Sequence, residues 1–223
     1  MRNVHPIHIL FLLIGLLYGL VSCTDKNPQS KLPSVSPDAI LSPKLLNSER
    51  IKMKFGSYGI QVLTKNAKLR VSDLYSSHGD KKITRTFAVV RYPEIIDSVF
   101  IEEHRKILEG QSIGEVFKEN QWEIEKKSFF FGQIMPSSDY RDIYKLMGNI
   151  APSKLAMYTY GFTIKKANKS YQYAIISEVY HPDYLTLNDL KKINQDADKY
   201  LDTTDVSQIV KQVEREMKTN YIQ

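Results

Sequence analysis

From Phe55 onward the apolar positions follow two rhythms, one repeating every second residue and one every three to four. Tyr58–Thr64 and Leu69–Tyr75 flank Lys65-Asn66-Ala67-Lys68, a pattern that predicts a β-hairpin. Ser77-His78-Gly79-Asp80 supplies the next turn, and Ile83–Tyr92 reads as a third strand stopped by Pro93. The period then becomes helical from Glu94 to Asn120, with Ile95, Ile96, Val99, Phe100, Ile107 and Leu108 on one face. Gly110 breaks that helix. Ser112 and Glu115 have the spacing of a capping box for a second, shorter one, which turns Val116 and Phe117 inward.

Trp122–Met135 returns to strand, and Pro136-Ser137-Ser138 opens a short helix that ends at Gly148. Leu155–Lys166 and Tyr171–Tyr180 form the clearest hairpin, joined by Ala167-Asn168-Lys169-Ser170. Two helices follow, one marked by Leu187, Leu190, Ala197 and Leu201, the other by Val206, Ile209, Val210, Val213 and Met217. Tight hairpins dominate and βαβ crossovers are few. The expected fold is therefore α+β, a single mainly antiparallel sheet of about six strands with helices packed on it.

Residues 24–43 hold four prolines (28, 33, 37 and 43) and no aromatic residue, whereas 22 of the 24 aromatics lie from Phe55 onward. The shift predicts a spacer over 23–43 and one globular domain over 44–223. At about 3 Å per residue, such a spacer reaches on the order of 60 Å. The one cysteine in 223 residues excludes a disulfide scaffold, a zinc ribbon and an iron–sulfur centre. Neither metal nor cofactor is expected.

Within residues 1–22 Arg2 is the only formal charge, and Ile7–Val21 is apolar apart from His8. That run of 15 residues is shorter than the roughly 20 of a spanning helix and suits a secretory signal. Leu20-Val21-Ser22-Cys23 closes it and resembles the lipobox of bacterial lipoproteins, aliphatic and small residues before a cysteine. The resemblance implies a bacterial source, removal of 1–22 by cleavage between Ser22 and Cys23, and attachment to the membrane through lipid on Cys23. In Gram-negative lipoproteins of the enteric type, Asp after the cysteine retains the protein at the inner membrane. Here that position is Thr24, which favours the outer membrane.

The formal charge of +6 is spread over lysine pairs at 81–82, 126–127, 165–166 and 191–192, which suits anionic headgroups or cell-wall polymers. An exported chain has little occasion to meet nucleic acid, and none is expected as a partner.

Candidate chemistry is sparse. His78, His104 and His181 are the histidines after Cys23, all expected on exposed turns or helix surface, and no metal-binding spacing joins them. Asn194–Asp205 places oxygen ligands in the register of a calcium loop, but Lys199 stands where the sharp turn needs glycine. That segment is expected to be helical and free of calcium. Tyr158, Tyr160, Phe162 and Ile164 share a face of one strand, with Tyr171, Tyr173 and Ile175 on a matching face of the next. They read either as cross-strand core pairs or as an aromatic binding surface on Tyr158, Tyr160, Tyr171 and Tyr173. The functional expectation is a lipid-anchored, non-catalytic binding or adaptor module of the cell envelope, partnered by an envelope protein or a cell-wall polymer. The alternative is a hydrolase-like envelope enzyme built around one of the histidines.

Overall fold

Two three-stranded meanders lie side by side and make one sheet. The chain is described by a computed structural model over residues 36–135, 137–151, 153–194, 206–219 and 221. Strands β1 (Gly59–Lys65), β2 (Leu69–His78) and β3 (Lys81–Arg91) run antiparallel, as do β4 (Glu123–Ile134), β5 (Leu155–Lys166) and β6 (Lys169–Tyr180). β3 pairs antiparallel with β6, so the sheet order is β1-β2-β3-β6-β5-β4. The expected α+β architecture with one antiparallel sheet of six strands is what forms.

Helices cover both faces of this sheet. α2 (Asn47–Phe55), α3 (Ile101–Leu108), α4 (Ile113–Glu119) and α6 (Leu187–Ile193) pack on the first face. α5 (Arg141–Leu146) and α7 (Val206–Lys218) pack on the second. The short α1 (Pro37–Ile40) precedes them all. Alternation along β5 feeds both layers: Ala156, Tyr158, Tyr160, Phe162 and Ile164 enter the first, Leu155 and Met157 the second. Central strands buried on both sides read as nearly continuous apolar runs, and β3, β5 and β6 do so. In α7, Ile209, Val213 and Met217 recur every four residues and are buried. Each such side chain contributes about 1.5–3 kcal/mol by leaving water.

Several departures from the periodic reading have local causes. Ala167 and Asn168 both have positive φ, 49° and 63°, and form a two-residue turn of the type favoured in hairpins. Lys169 and Ser170 therefore belong to β6 and not to the connection. The stretch 94–97 is not helical. Asp97 caps a 3-10 turn at Ser98–Phe100, its carboxylate accepting the Val99 N–H at 3.0 Å, and α3 starts only at Ile101. Ile95 (85% exposed) and Val99 (49%) thus lie outside the core to which helical spacing assigned them. The Ser112 side chain makes no cap bond, so the expected capping box at α4 is not formed.

α2 was not foreseen, because Ile51 is its one fully buried apolar side chain. It is held at its ends instead: Glu49 accepts the Leu46 N–H at 2.8 Å, and Gly56 closes the helix at φ 78°, donating its N–H to the Lys52 carbonyl. The folded unit also takes in residues 36–43, read from sequence as spacer. Leu41 packs on the first-face core, and Arg50 donates from Nε to the Ile40 carbonyl (2.7 Å) and from Nη2 to that of Ser42 (2.9 Å). Ser22, Cys23, the spacer up to residue 35 and the acidic run 195–205 lie outside the described residues, so the helical, calcium-free reading of that run is untouched by the structure.

Candidate ligand-binding cavity

Side-chain parity in β6 places Ile176, Glu178 and Tyr180 on the first face, so a carboxylate enters an otherwise apolar layer. Glu178 is 4% exposed. Asn47, at the start of α2, donates from Nδ2 to Oε1 at 2.8 Å, and the Tyr180 hydroxyl donates to Oε2 at 2.6 Å. Asn47 is held in turn by the Tyr184 hydroxyl, which donates to its Oδ1 at 2.6 Å, and by its own donation to Thr86 Oγ1 at 3.1 Å. Burial, reinforced by the Glu178 charge, holds the Tyr180 phenol well above its ordinary pKa. Each oxygen of the carboxylate thus has a protein donor.

Two cations answer this carboxylate at a distance. Lys126, on β4, lies with Nζ 4.7 Å from the centre of the Tyr160 ring. Burial holds its ammonium below the usual lysine range, with Glu178 opposing the shift and Arg50 adding to it. Arg50 is buried and spends its hydrogen bonds on backbone carbonyls. A third cation, Arg70 on β2, is 1% exposed. Its Nε donates to Ser72 Oγ, and its Nη1 to the carbonyls of Ile107 and Gln111, each at 2.9 Å. None of the three forms an ion pair among the described residues.

Between α2, α4 and the sheet lies a cavity whose walls include Arg70, Lys126 and Glu178. The volume open to the centres of water-sized spheres is about 60 Å³. Three of its lining residues carry buried polar atoms that make no well-formed hydrogen bond, Ser48 Oγ, Tyr58 OH and Arg70 Nη2; the Ser112 side chain interacts weakly with the second, and Tyr92 with the Arg70 side chain. Burial pushes the Tyr58 hydroxyl up to about 12, so it is a neutral donor. α4 comes close enough to border the space because residue 114 is glycine; a Cβ there would meet the Leu46 side chain at 2.8 Å. Leu46 and Lys126 also line a wider depression bounded by Ser42–Leu45 and Lys192–Asn194, and so divide the two.

The tyrosines proposed as an exposed surface do not form one. Tyr158, Tyr160 and Tyr173 are buried and Tyr171 is half-buried, because α3, α4 and α6 cover that face of the hairpin. A β-bulge contributes: Phe162 pairs with Ala174 and Thr163 with Gln172, which leaves Tyr173 as an extra residue. Parity flips there, so Tyr171 and Tyr173 share the core face with Ala174 and Ile176, while Ile175 does not. Tyr160 alone of the four lines the cavity.

The histidines are not brought together either. His78 is exposed at the end of β2, whereas His104 and His181 are buried and not on the surface as expected. His181 accepts the Asp183 N–H at Nδ1 (3.0 Å), so its proton sits on Nε2 and is donated to the Met147 carbonyl (3.0 Å). Both nitrogens are used in holding a loop, which leaves no site for acid–base work. His104 Nδ1 is 2.9 Å from the Tyr173 hydroxyl. Burial lowers the pKa of both, and for His181 the Arg85 charge adds to it. A base whose folded pKa is depressed stabilises the fold fully above its unfolded value near 6.5, and that contribution is lost as pH falls below it. Chemical denaturation between pH 7.5 and 5.5 is expected to show stability falling, by at most about 1.4 kcal/mol per pH unit for each histidine. A flat profile would mean that both rings are solvated in the folded state.

Among the described residues no group of three His, Cys, Asp or Glu is placed to hold a metal ion. The charged residues of the cavity were missed because each sits alone in its own strand or helix. One signal was available: Glu178 lies two residues from Ile176 and from Tyr180, so period-two parity already turned it to the core. A scan against protein-family models finds none that matches the chain, and a search of curated proteins finds no match to its sequence either.

Proposed function

We propose that the chain is a lipid-anchored binding module of the bacterial cell envelope whose ligand is a small molecule held in the cavity between α2, α4 and the sheet. The observation that carries this reading is the convergence on one cavity of Ser48, Tyr58 and Arg70, each with a buried donor that makes no well-formed hydrogen bond. Buried polar groups are nearly always satisfied, and leaving one unpaired costs about 1–3 kcal/mol. A ligand that accepts their hydrogen bonds accounts for keeping them. The closed hydrogen bonding of His181 speaks for binding over the hydrolase alternative.

The lipobox-like Leu20-Val21-Ser22-Cys23 supports the anchor, and Thr24 favours the outer membrane in a Gram-negative cell. Two acyl chains or more hold a protein stably, at about 0.8 kcal/mol per buried methylene. Cys23→Ser is expected to abolish labelling with a radioactive fatty acid and to prevent cleavage before residue 23. Undiminished labelling of that variant would remove the anchor from the proposal. Binding is tested by native mass spectrometry on the chain extracted from its own membranes in mild detergent. A non-covalent adduct released on denaturation is expected; a protein that carries none and binds no added small molecule would refute the reading.

A further inference from the structure

We infer that the cavity is a site for a small organic monocarboxylate of about four to six non-hydrogen atoms, recognised by Arg70 with the hydroxyls of Ser48 and Tyr58. The inference rests on the binding reading above and names its ligand. Charge is the first reason. Glu178 answers Lys126 and lies near Arg50, but no carboxylate among the described residues answers Arg70. A buried guanidinium without a counterion is costly to keep, and its bonds to Ser72 and two carbonyls offset only part of that. An anion completes the set.

The donor chemistry points the same way. Nη2 of Arg70 offers N–H groups, while the two hydroxyls donate without adding charge. One full positive charge and two neutral donors suit a monoanion; a phosphate dianion calls for more. The first turn of the nine-residue α2 borders the same space through Asn47 and Ser48, so the helix dipole also favours negative charge there. Glu178 does not compete for the donors, since Asn47 and Tyr180 already hold its oxygens.

Size and lining set the rest. A buried water needs about 10–15 Å³ of such volume, so the cavity has room for about four waters, which in the liquid occupy about 30 Å³ each. That is the bulk of a short carboxylic acid. Ile60, Leu74, Ile113, Phe162 and Ile176 give the cavity an apolar wall, which a carbon chain covers and a chloride or phosphate ion does not.

The test is isothermal titration of the full chain in mild detergent with sodium acetate, propionate and pyruvate, against sodium phosphate and chloride at equal ionic strength. Saturable binding of at least one monocarboxylate, stronger than that of phosphate or chloride, is expected. Arg70→Met should abolish it, but Arg70 also ties down α3 and that variant risks misfolding. Ser48→Ala and Tyr58→Phe remove hydroxyls that make no well-formed hydrogen bond within the protein. Each should weaken the carboxylate about tenfold or more while the unliganded melting temperature stays level or rises, a combination a merely structural role would not give. Equal binding of phosphate or chloride, no monocarboxylate binding, or unchanged affinity in both hydroxyl variants would overturn the inference. A neutral adduct found by native mass spectrometry would also overturn it while the binding reading stands. A chain without adduct that takes up none of the titrants sinks both.

Discussion

Glu178→Ala is expected to lower the unfolding free energy by about 3–5 kcal/mol, because removing one partner of a desolvated charge set leaves the others uncompensated. The carboxylate is 4% exposed and takes hydrogen bonds from Asn47 and Tyr180. Its loss strands both donors and leaves the half-buried Lys126 and the buried Arg50 without a negative charge nearby. Glu178→Gln keeps an acceptor for Asn47 and presents an amide to the Tyr180 hydroxyl, so it should fall between parent and alanine. Urea denaturation with unchanged slope reads the difference directly. An alanine variant within about 1 kcal/mol of the parent would mean that water reaches this carboxylate and that the cavity floor is not dry.

Tyr173→Ala should be as damaging. Its ring is fully buried among Tyr92, Phe100, Phe117 and Phe162, with the Phe117 centroid 4.7 Å away. Truncating a large buried ring costs about 3–5 kcal/mol, since the site collapses only in part. The loss is a large fraction of the roughly 5–15 kcal/mol that holds a domain together. Tyr173→Phe separates the two contributions: it keeps the ring and gives up only the hydrogen bond to His104, worth about 1 kcal/mol. Equal losses in the two variants would place the stabilisation in the hydroxyl instead, and the packing account would fail.

Together the two variants probe opposite uses of one sheet face. Around Tyr173 that face is filled with rings; around Glu178 it is polar and leaves a cavity. Filling maximises stability, whereas unpartnered donors reduce it. Donors at Ser48, Tyr58 and Arg70 that no protein group fully satisfies are what the proposed binding site rests on.

Much of the architecture was legible along the chain, because strand and helix periods are local properties. The alternation of β5 and β6, the stop at Pro93, the helix at Val206–Lys218 and the antiparallel character of the sheet all follow from neighbours within a few residues. Tertiary structure decided the rest. Bulges at Tyr173 and at Arg85, opposite Leu74, shift parity, and a period-two count cannot register an extra residue. α2 carries too few apolar side chains to announce itself, yet the sheet beneath it and the Gly56 cap hold it in place. The cavity is the clearest case. Ser48, Arg70, Lys126 and Glu178 come from one helix and three strands, and each alone reads as ordinary surface or strand residue. Only the order β1-β2-β3-β6-β5-β4, with α2 and α4 laid across it, brings them to one space. Burial and charge pairing depend on what packs overhead, and that is set by contacts between segments up to 137 residues apart (Asn47 to Tyr184).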